Sequence, residues 1–97
     1  MGRRVAEVIY AKRAVASLTS HFEYINERNP NAGREFVSEI EQTADLLGEF
    51  PKLGRAIENL PLRFHISKKF RYRIVYMTKG DRLEIRDVLH PSRNWRR

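Results

Sequence analysis

Apolar residues recur at helical spacing in the first half of the chain and alternate with polar residues in the second half. The first helical stripe has spacings of three and four, and it predicts an amphipathic helix that ends near Arg28. Its members are Ala11, Val15, Leu18, Phe22 and Ile25. Before it, residues 4–10 are short and rich in β-branched side chains, which predicts a strand.

Asn29 and Pro30 separate this helix from a second one. Asn is a good N-cap, and Pro suits the first helical position because its missing N–H costs nothing there. The inward face of the second helix is predicted to carry Phe36, Val37, Ile40, Ala44 and Leu47. Because the link is so short, the two helices are expected to lie antiparallel.

Shorter alternating segments follow, and they predict strands. Residues 50–55 break the helical period and read as a loop, residues 60–68 as a strand, and residues 70–76 and 83–90 as a hairpin that turns at Gly80. Asp87 falls on the same face as Leu83 and Ile85, so we expect a bulge or a polar pocket there.

The order β-α-α-β-β-β predicts an α+β fold, a small antiparallel sheet with a two-helix hairpin packed on one face. Strand alternation places Phe70, Tyr72, Ile74 and Tyr76 toward the helices. The same alternation turns Arg71 and Arg73 to the other face, which would therefore be basic.

The 97 residues, 41% of them hydrophobic, suit one domain over 1–97 whose last two or three residues are frayed. The absence of cysteine excludes disulfides, a thiolate nucleophile and a cysteine-based zinc site. No apolar run reaches membrane-spanning length and no secretory signal is evident, so a cytoplasmic protein with no membrane association is expected.

Positive charge is concentrated in the second half. Residues 1–50 hold 6 Lys/Arg against 8 Asp/Glu, whereas residues 51–97 hold 13 against 4. Such asymmetry favours a face that binds an anionic partner, either nucleic acid or an acidic protein segment, over a merely soluble basic surface.

Five short motifs follow one another along the chain. They are Ala11-Lys12-Arg13-Ala14 with Leu18, Tyr24 and Ile25; Asn29-Pro30 with Phe36-Val37; the 49–55 segment; Tyr72-Arg73-Ile74-Val75-Tyr76; and Val88-Leu89-His90 with Arg93. In this order they resemble the ParE/RelE superfamily of toxins from type II toxin–antitoxin systems. Many relatives have Ser where Ala11 stands, so the usual cap of the first helix is missing.

The resemblance implies one of two activities, which the fold does not decide. RelE-like members cut messenger RNA on the ribosome, and for such a nuclease the candidates are Arg73, His90 and Arg93. However, Phe64 and Ile66 stand where RelE-like enzymes carry lysines, so no catalytic set is assigned. The His90–Trp95 tail looks more like the ParE branch, whose members inhibit DNA gyrase and stabilise plasmids. A non-catalytic nucleic-acid-binding module is the third reading.

Two sets of candidate binding residues follow. The target-binding set is Lys68, Lys69, Arg71, Arg73, His90, Arg93 and Trp95. Three of these have structural alternatives: Arg73 can pack over Tyr72 or Tyr76 and pair with Asp87 or Glu84, His90 can bond to the backbone at a strand end, and Trp95 can anchor the tail.

The resemblance also implies a cognate ParD-like antitoxin with an acidic C-terminal segment, and hence a toxin–antitoxin hetero-oligomer. The antitoxin-binding set is Phe22, Ile25, Arg63, Arg71 and Arg73. No cofactor is implied. No metal is assigned, since His21, His65 and His90 lack a metal-ligand spacing.

Overall fold

A computed structural model describes residues 7–92 as two helices and five strands. The elements are β1 (Glu7–Tyr10), α1 (Lys12–Arg28), α2 (Pro30–Glu49), β2 (Arg55–Ala56), β3 (Arg63–Ile66), β4 (Arg73–Lys79) and β5 (Arg82–Leu89). The predicted α+β class is confirmed, with the helices over one side of the sheet. β2 is an additional two-residue strand at the end of the predicted 50–55 loop.

The sheet is mixed rather than wholly antiparallel. Its order is β1-β5-β4-β3-β2, and β1 runs parallel to β5, with Val8 opposite Leu83 and Tyr10 opposite Ile85. The other three pairings are antiparallel. Alternation within strands predicts their faces but not their direction, and here β1 takes the edge next to the last strand.

The junction between the helices has the predicted chemistry. The Asn29 side chain accepts hydrogen bonds from the backbone N–H groups of Asn31 and Ala32, at 3.0 and 3.2 Å. Pro30 then occupies the first helical position. Ala11 precedes α1 and gives it no side-chain cap, as its sequence predicted.

The core lies between the helices and the sheet. Four of the five inward positions predicted for α2 are buried, namely Phe36, Ile40, Ala44 and Leu47, and Val37 packs at the edge. In the first turn of α1 the inward residue is Ala14 rather than Val15: Ala14 is buried and Val15 is 49% exposed, so placing Val15 on the inward stripe was wrong. Ala14, Leu18, Phe22 and Ile25 form an equally regular helical series.

The β3–β4 connection is longer than predicted, because β3 ends at Ile66 and β4 begins at Arg73. Ser67 and Tyr72 close this connection: the Ser67 N–H donates to the Tyr72 carbonyl at 2.9 Å, and the Tyr72 N–H donates to Ser67 Oγ at 3.1 Å. Arg71 has φ 66°, which a strand does not allow. Placing Arg71 on the outer face of a strand was therefore wrong.

The expected irregularity near Asp87 is present. Val75 pairs with Asp87 and Tyr76 with Ile85, so Arg86 is the extra residue of a bulge. Asp87 Oδ1 accepts hydrogen bonds from Ser17 Oγ at 2.6 Å and from the Val88 N–H at 2.8 Å. Within residues 7–92 no helix is both long and apolar enough to cross a membrane.

Candidate target-binding surface

The outer face of the sheet, turned away from the helices, is apolar at its centre. Partner positions share a face, so Phe64, Val75 and Met77 lie together there. The Arg73 guanidinium lies over the Phe64 ring, 5.2 Å from its centroid, and Arg73 is only half-exposed. The expected aromatic partner, Tyr72 or Tyr76, was wrong because both rings are buried on the helix side.

The predicted cations Lys68, Lys69 and Arg71 lie in the β3–β4 connection, residues 67–72, which we call the cationic loop. The Glu39 carboxylate on α2 holds this loop: it accepts the Lys69 N–H at 3.0 Å and the Phe70 N–H at 2.8 Å. One turn earlier on α2, the Glu35 carboxylate forms an ion pair with Lys69 Nζ at 2.8 Å. The loop therefore has a fixed shape although its side chains are exposed.

Arg71 holds the most unusual backbone conformation of the loop. A left-handed φ of 66° is unfavourable for a side chain with a Cβ, and such strain persists only where neighbours impose it. Here the hydrogen bonds between Ser67 and Tyr72, and those from the loop to Glu39, impose this conformation. Arg71 and Lys68 are both exposed, and within residues 7–92 neither makes an ion pair.

His90 belongs to an aromatic cluster made of His21, Phe36, Phe70, Tyr72 and His90. Its Nδ1 accepts the Ser92 backbone N–H at 3.0 Å and lies 2.8 Å from Ser92 Oγ. An acceptor Nδ1 leaves the ring proton on Nε2. His90 therefore bonds to local backbone, as its structural reading predicted, and its ring remains exposed.

Arg73 and His90 lie on opposite sides of the sheet. Leu89 is the partner of Arg73 and shares its outer face, whereas His90, the next residue, contacts His21 and Tyr72 on the helix side. The nuclease candidates therefore do not converge within residues 7–92. The remaining candidates, Arg93 and Trp95, lie outside the described residues.

Helix α1 covers the part of β5 that β1 leaves open. The last β1 pairing is Tyr10 with Ile85. Beyond it, His21 Nε2 donates a 2.8 Å hydrogen bond to the Val88 carbonyl, and Ser17 bonds to Asp87. This arrangement caps an exposed strand edge, and it fixes the end of β5 from which His90 projects.

A second rigid segment follows α2. The Tyr76 hydroxyl accepts the Gly54 N–H at 2.8 Å and donates to the Pro51 carbonyl at 2.7 Å. A Cβ on Gly54 would stand 2.5 Å from that hydroxyl, so only glycine fits. Arg63, predicted to bind an antitoxin, donates to the Gly54 carbonyl at 2.7 Å and stabilises the same segment.

A groove of about 500 Å³ runs along the outside of the helical hairpin. Phe22 and Val37 form its apolar floor, and Arg34 and Glu41 add one charge of each sign. Phe22 and Ile25, both predicted to bind an antitoxin, are half-buried against the core. An amphipathic segment fits such a groove.

Burial raises the pKa of three tyrosines. The pKa of Tyr10 rises to about 12, through burial first and then through Glu41 and Asp45. Burial also raises the pKa of Tyr72 and of Tyr76, and in Tyr76 the Gly54 hydrogen bond and Arg63 oppose the increase. Partial burial lowers the pKa of His65. Among the described residues no cluster of three or more potential metal ligands exists.

Sequence reasoning missed the residues that shape this surface. The sequence assigned no role to Glu35 and Glu39, and it predicted Tyr76 only as a ring that faces the helices. A signal for the first pair was their spacing of four, which aligns two carboxylates on one side of α2. Nothing in the sequence indicated that Arg71 adopts a left-handed conformation.

Comparison with known proteins identifies a family and similar proteins within it or of the same fold. Residues 8–95 match the family described as ParE toxin of type II toxin–antitoxin system, parDE. Toxin RelE2 of Caulobacter vibrioides is 35% identical over 51 residues, which cover 53% of this chain and 58% of that protein. The matched segment thus spans less than two thirds of that relative.

The fold also matches a solved structure, the chromosomal ParDE TA system from P. aeruginosa. The TM-score is 0.77, and the match covers 87% of this chain and 94% of the other at 16% sequence identity. Identity this low supports the fold and nothing finer.

Proposed function

Because this chain belongs to the family of ParE toxins of type II toxin–antitoxin systems, we propose that it arrests growth by inhibiting DNA gyrase. The observation that carries the proposal is the family match over 8–95, which covers all the described elements except the first residue of β1. The separation of Arg73 from His90 supports it, because RNA cleavage needs an acid, a base and cations converging on one phosphate.

The proposed contact with gyrase is the end of the molecule that carries the cationic loop and His90. Lys68 and Arg71 are exposed on a loop of fixed shape, and a preorganised surface loses less entropy on binding than a mobile one. Arg73 contributes to the outer sheet face beside it. The proposal also includes Arg93 and Trp95.

We further propose that a cognate ParD-like antitoxin neutralises the toxin in the cytoplasm as a hetero-oligomer. Its apolar side chains would fill the groove floored by Phe22 and Val37 and extend to Ile25, one helical turn beyond Phe22. An acidic continuation could then reach the guanidinium groups of Arg71 and Arg73, for which a carboxylate is a suitable partner. Arg63 would act indirectly in this interface, because its hydrogen bond to the Gly54 carbonyl stabilises the segment after α2.

A RelE-like ribosome-dependent endoribonuclease is the second candidate. The observation that favours it is the likeness to Toxin RelE2. In that reading Arg73 and Arg93 stabilise the phosphate and His90 transfers a proton, which requires all three groups to reach one substrate.

Purified toxin added to a gyrase supercoiling reaction tests the proposal. We expect loss of supercoiling, a DNA-damage response on induced expression, and intact messenger RNA. Arg71→Gln should weaken inhibition, whereas Lys79→Gln, an exposed cation at the Gly80 turn, should not. Codon-position-dependent cuts in messenger RNA with unchanged supercoiling would reject gyrase in favour of the second candidate.

A further inference from the structure

The aromatic cluster extends beyond its core onto exposed residues of α1. The His90 and Tyr72 ring centroids are 5.3 Å apart, and those of Tyr72 and His21 are 4.9 Å apart. Tyr24 stands one helical turn beyond His21, and it is close enough to Tyr72 to contribute to the raised pKa of that residue. Tyr24 itself is 54% exposed, so the cluster ends in an open ring.

That ring carries a stacked cation. The Arg28 guanidinium lies 3.8 Å from the centroid of the Tyr24 ring, and its Nη1 donates to the Tyr24 carbonyl at 3.1 Å. The Arg28 side chain is still 60% exposed, with Glu27 at 4.0 Å as a weak surface partner. Tyr24 and Arg28 therefore present a planar stack held in one orientation.

Positive charge lies beside these planar groups. Lys68 and Arg71 are exposed on the cationic loop, next to Phe70 and Tyr72 of the cluster. The nearby carboxylates of Glu35 and Glu39 are already engaged by that loop. Open π-surfaces with adjacent unneutralised cations have the chemistry that takes up bases and phosphates together.

We propose that this end of the molecule binds a single-stranded nucleic acid segment, with one base stacked on the Tyr24–Arg28 pair. Arg71 and Lys68 neutralise the phosphates that follow it, and the exposed His90 ring lines the path between them. The site shares Lys68, Arg71 and His90 with the proposed gyrase contact, whereas the Tyr24–Arg28 stack belongs to this site alone, so Tyr24→Ala tests nucleic acid binding separately from gyrase inhibition.

Large exposed aliphatic side chains, for example Leu46 and Leu53, lie near the other end of the 20-residue helix α2, about 30 Å from its first turn. Around Tyr24 the exposed groups are the Tyr24 ring, the Arg28 guanidinium and the carboxylates of Glu23 and Glu27. The phosphates of a bound strand would therefore lie toward Lys68 and Arg71 rather than over α1.

Fluorescence anisotropy with labelled single-stranded DNA and RNA oligonucleotides of about 12 nucleotides, a usual site size, tests the proposal. We expect saturable binding that weakens as salt increases. Tyr24→Ala should lower affinity roughly 5- to 100-fold, as expected for one lost base–aromatic stack. Arg71→Gln should reduce the slope of log affinity against log salt by about 1. The two oligonucleotides distinguish DNA from RNA as the natural source.

Two variants on the same helix serve as controls. Tyr24→Phe keeps the ring and should bind like the wild type, and Val15→Ala changes another exposed residue that lies outside the cluster. Circular dichroism melts confirm folding, and Arg28→Gln replaces Tyr24→Ala if that variant unfolds. No saturable binding, tighter binding to a duplex, or equal affinities for Tyr24→Ala and Val15→Ala would overturn the proposal. The proposal would also be overturned if the wild type binds no oligonucleotide and Tyr24→Ala nevertheless loses growth arrest. That result would assign the surface to a protein partner.

Discussion

Tyr76 joins the segment after α2 to the middle of the sheet through one hydroxyl group. Its ring is fully buried, and the hydroxyl is both donor to Pro51 and acceptor from Gly54. Buried polar groups are costly when unpaired, so the segment that holds Pro51 and Gly54 depends on this one oxygen for its attachment to β4. Sequence alternation placed the ring inward correctly, but the hydroxyl partners come from residues more than twenty positions away.

Tyr76→Phe should destabilise the protein by about 2–3 kcal/mol, because the Gly54 N–H and the Pro51 carbonyl both lose their partner. Urea unfolding followed by circular dichroism measures the change. Tyr24→Phe removes an exposed hydroxyl and should stay within about 0.5 kcal/mol of the wild type. Equal stability of the two variants would mean that water replaces the Tyr76 hydroxyl.

Arg71 shows a different limit of sequence reasoning at the residue scale. Alternation predicted an outward strand position, and the side chain is indeed exposed. The backbone conformation differs because hydrogen bonds to Glu39 and Ser67 hold the loop in a shape that local propensity disfavours. Glu39 is distant in sequence, whereas Ser67 belongs to the loop itself. Tertiary contacts of this kind leave no local pattern.

At the scale of elements, the carboxylates of α2 set the shape of the cationic loop. Glu39 bonds to two backbone N–H groups, whereas Glu35 pairs only with the exposed Lys69 side chain. Hydrogen bonds from backbone N–H groups to a carboxylate are stronger than neutral ones, and exposed ion pairs contribute little. The two residues, one turn apart, should therefore differ in importance.

Glu39→Gln should increase amide hydrogen exchange at Lys69 and Phe70 and lower stability by about 1–2 kcal/mol, since it loses charge-assisted bonds. Glu35→Gln is the matched control on the same helix and should leave those amides protected. Hydrogen-exchange mass spectrometry of the 67–72 segment compares them. Similar exchange in both variants would show that the Ser67–Tyr72 closure alone holds the loop.

The sequence predicted elements better than their arrangement. Both helices, the Asn29-Pro30 junction and the Gly80 turn follow from local chemistry, and the structure confirms them. The start of β4, the existence of β2 and the parallel pairing of β1 depend on contacts between distant segments. Likewise, the sequence predicted which cations are exposed on the cationic loop but not that Arg73 lies over Phe64.

For the molecule as a whole, buried phenol groups make stability depend on alkaline pH. The pKa of Tyr10 is raised to about 12, mainly by burial, while an unfolded tyrosine ionises near about 10. The unfolded chain then releases its proton at lower pH than the folded one. This contribution to stability is complete below pH ~10 and is lost as pH rises toward ~12.

Tyr10→Phe should accordingly reduce the loss of stability between pH ~9 and ~12, because it removes the group with that raised pKa. Some loss should remain, since burial also raises the pKa of Tyr72 and Tyr76. Urea unfolding at a series of pH values measures the slope. Neutral pH provides the internal control, and parallel curves for the two proteins across the alkaline range would contradict the prediction.

The pairing of β1 with β5 has a consequence for how the protein is made. Residues 7–10 are synthesised 75 residues before their partners, residues 82–85. A nascent chain therefore holds β1 unpaired until β5 has left the ribosome, and the long loop closure delays assembly further. The five-stranded sheet forms only after that point, which gives the cell an interval in which newly made toxin is not yet folded.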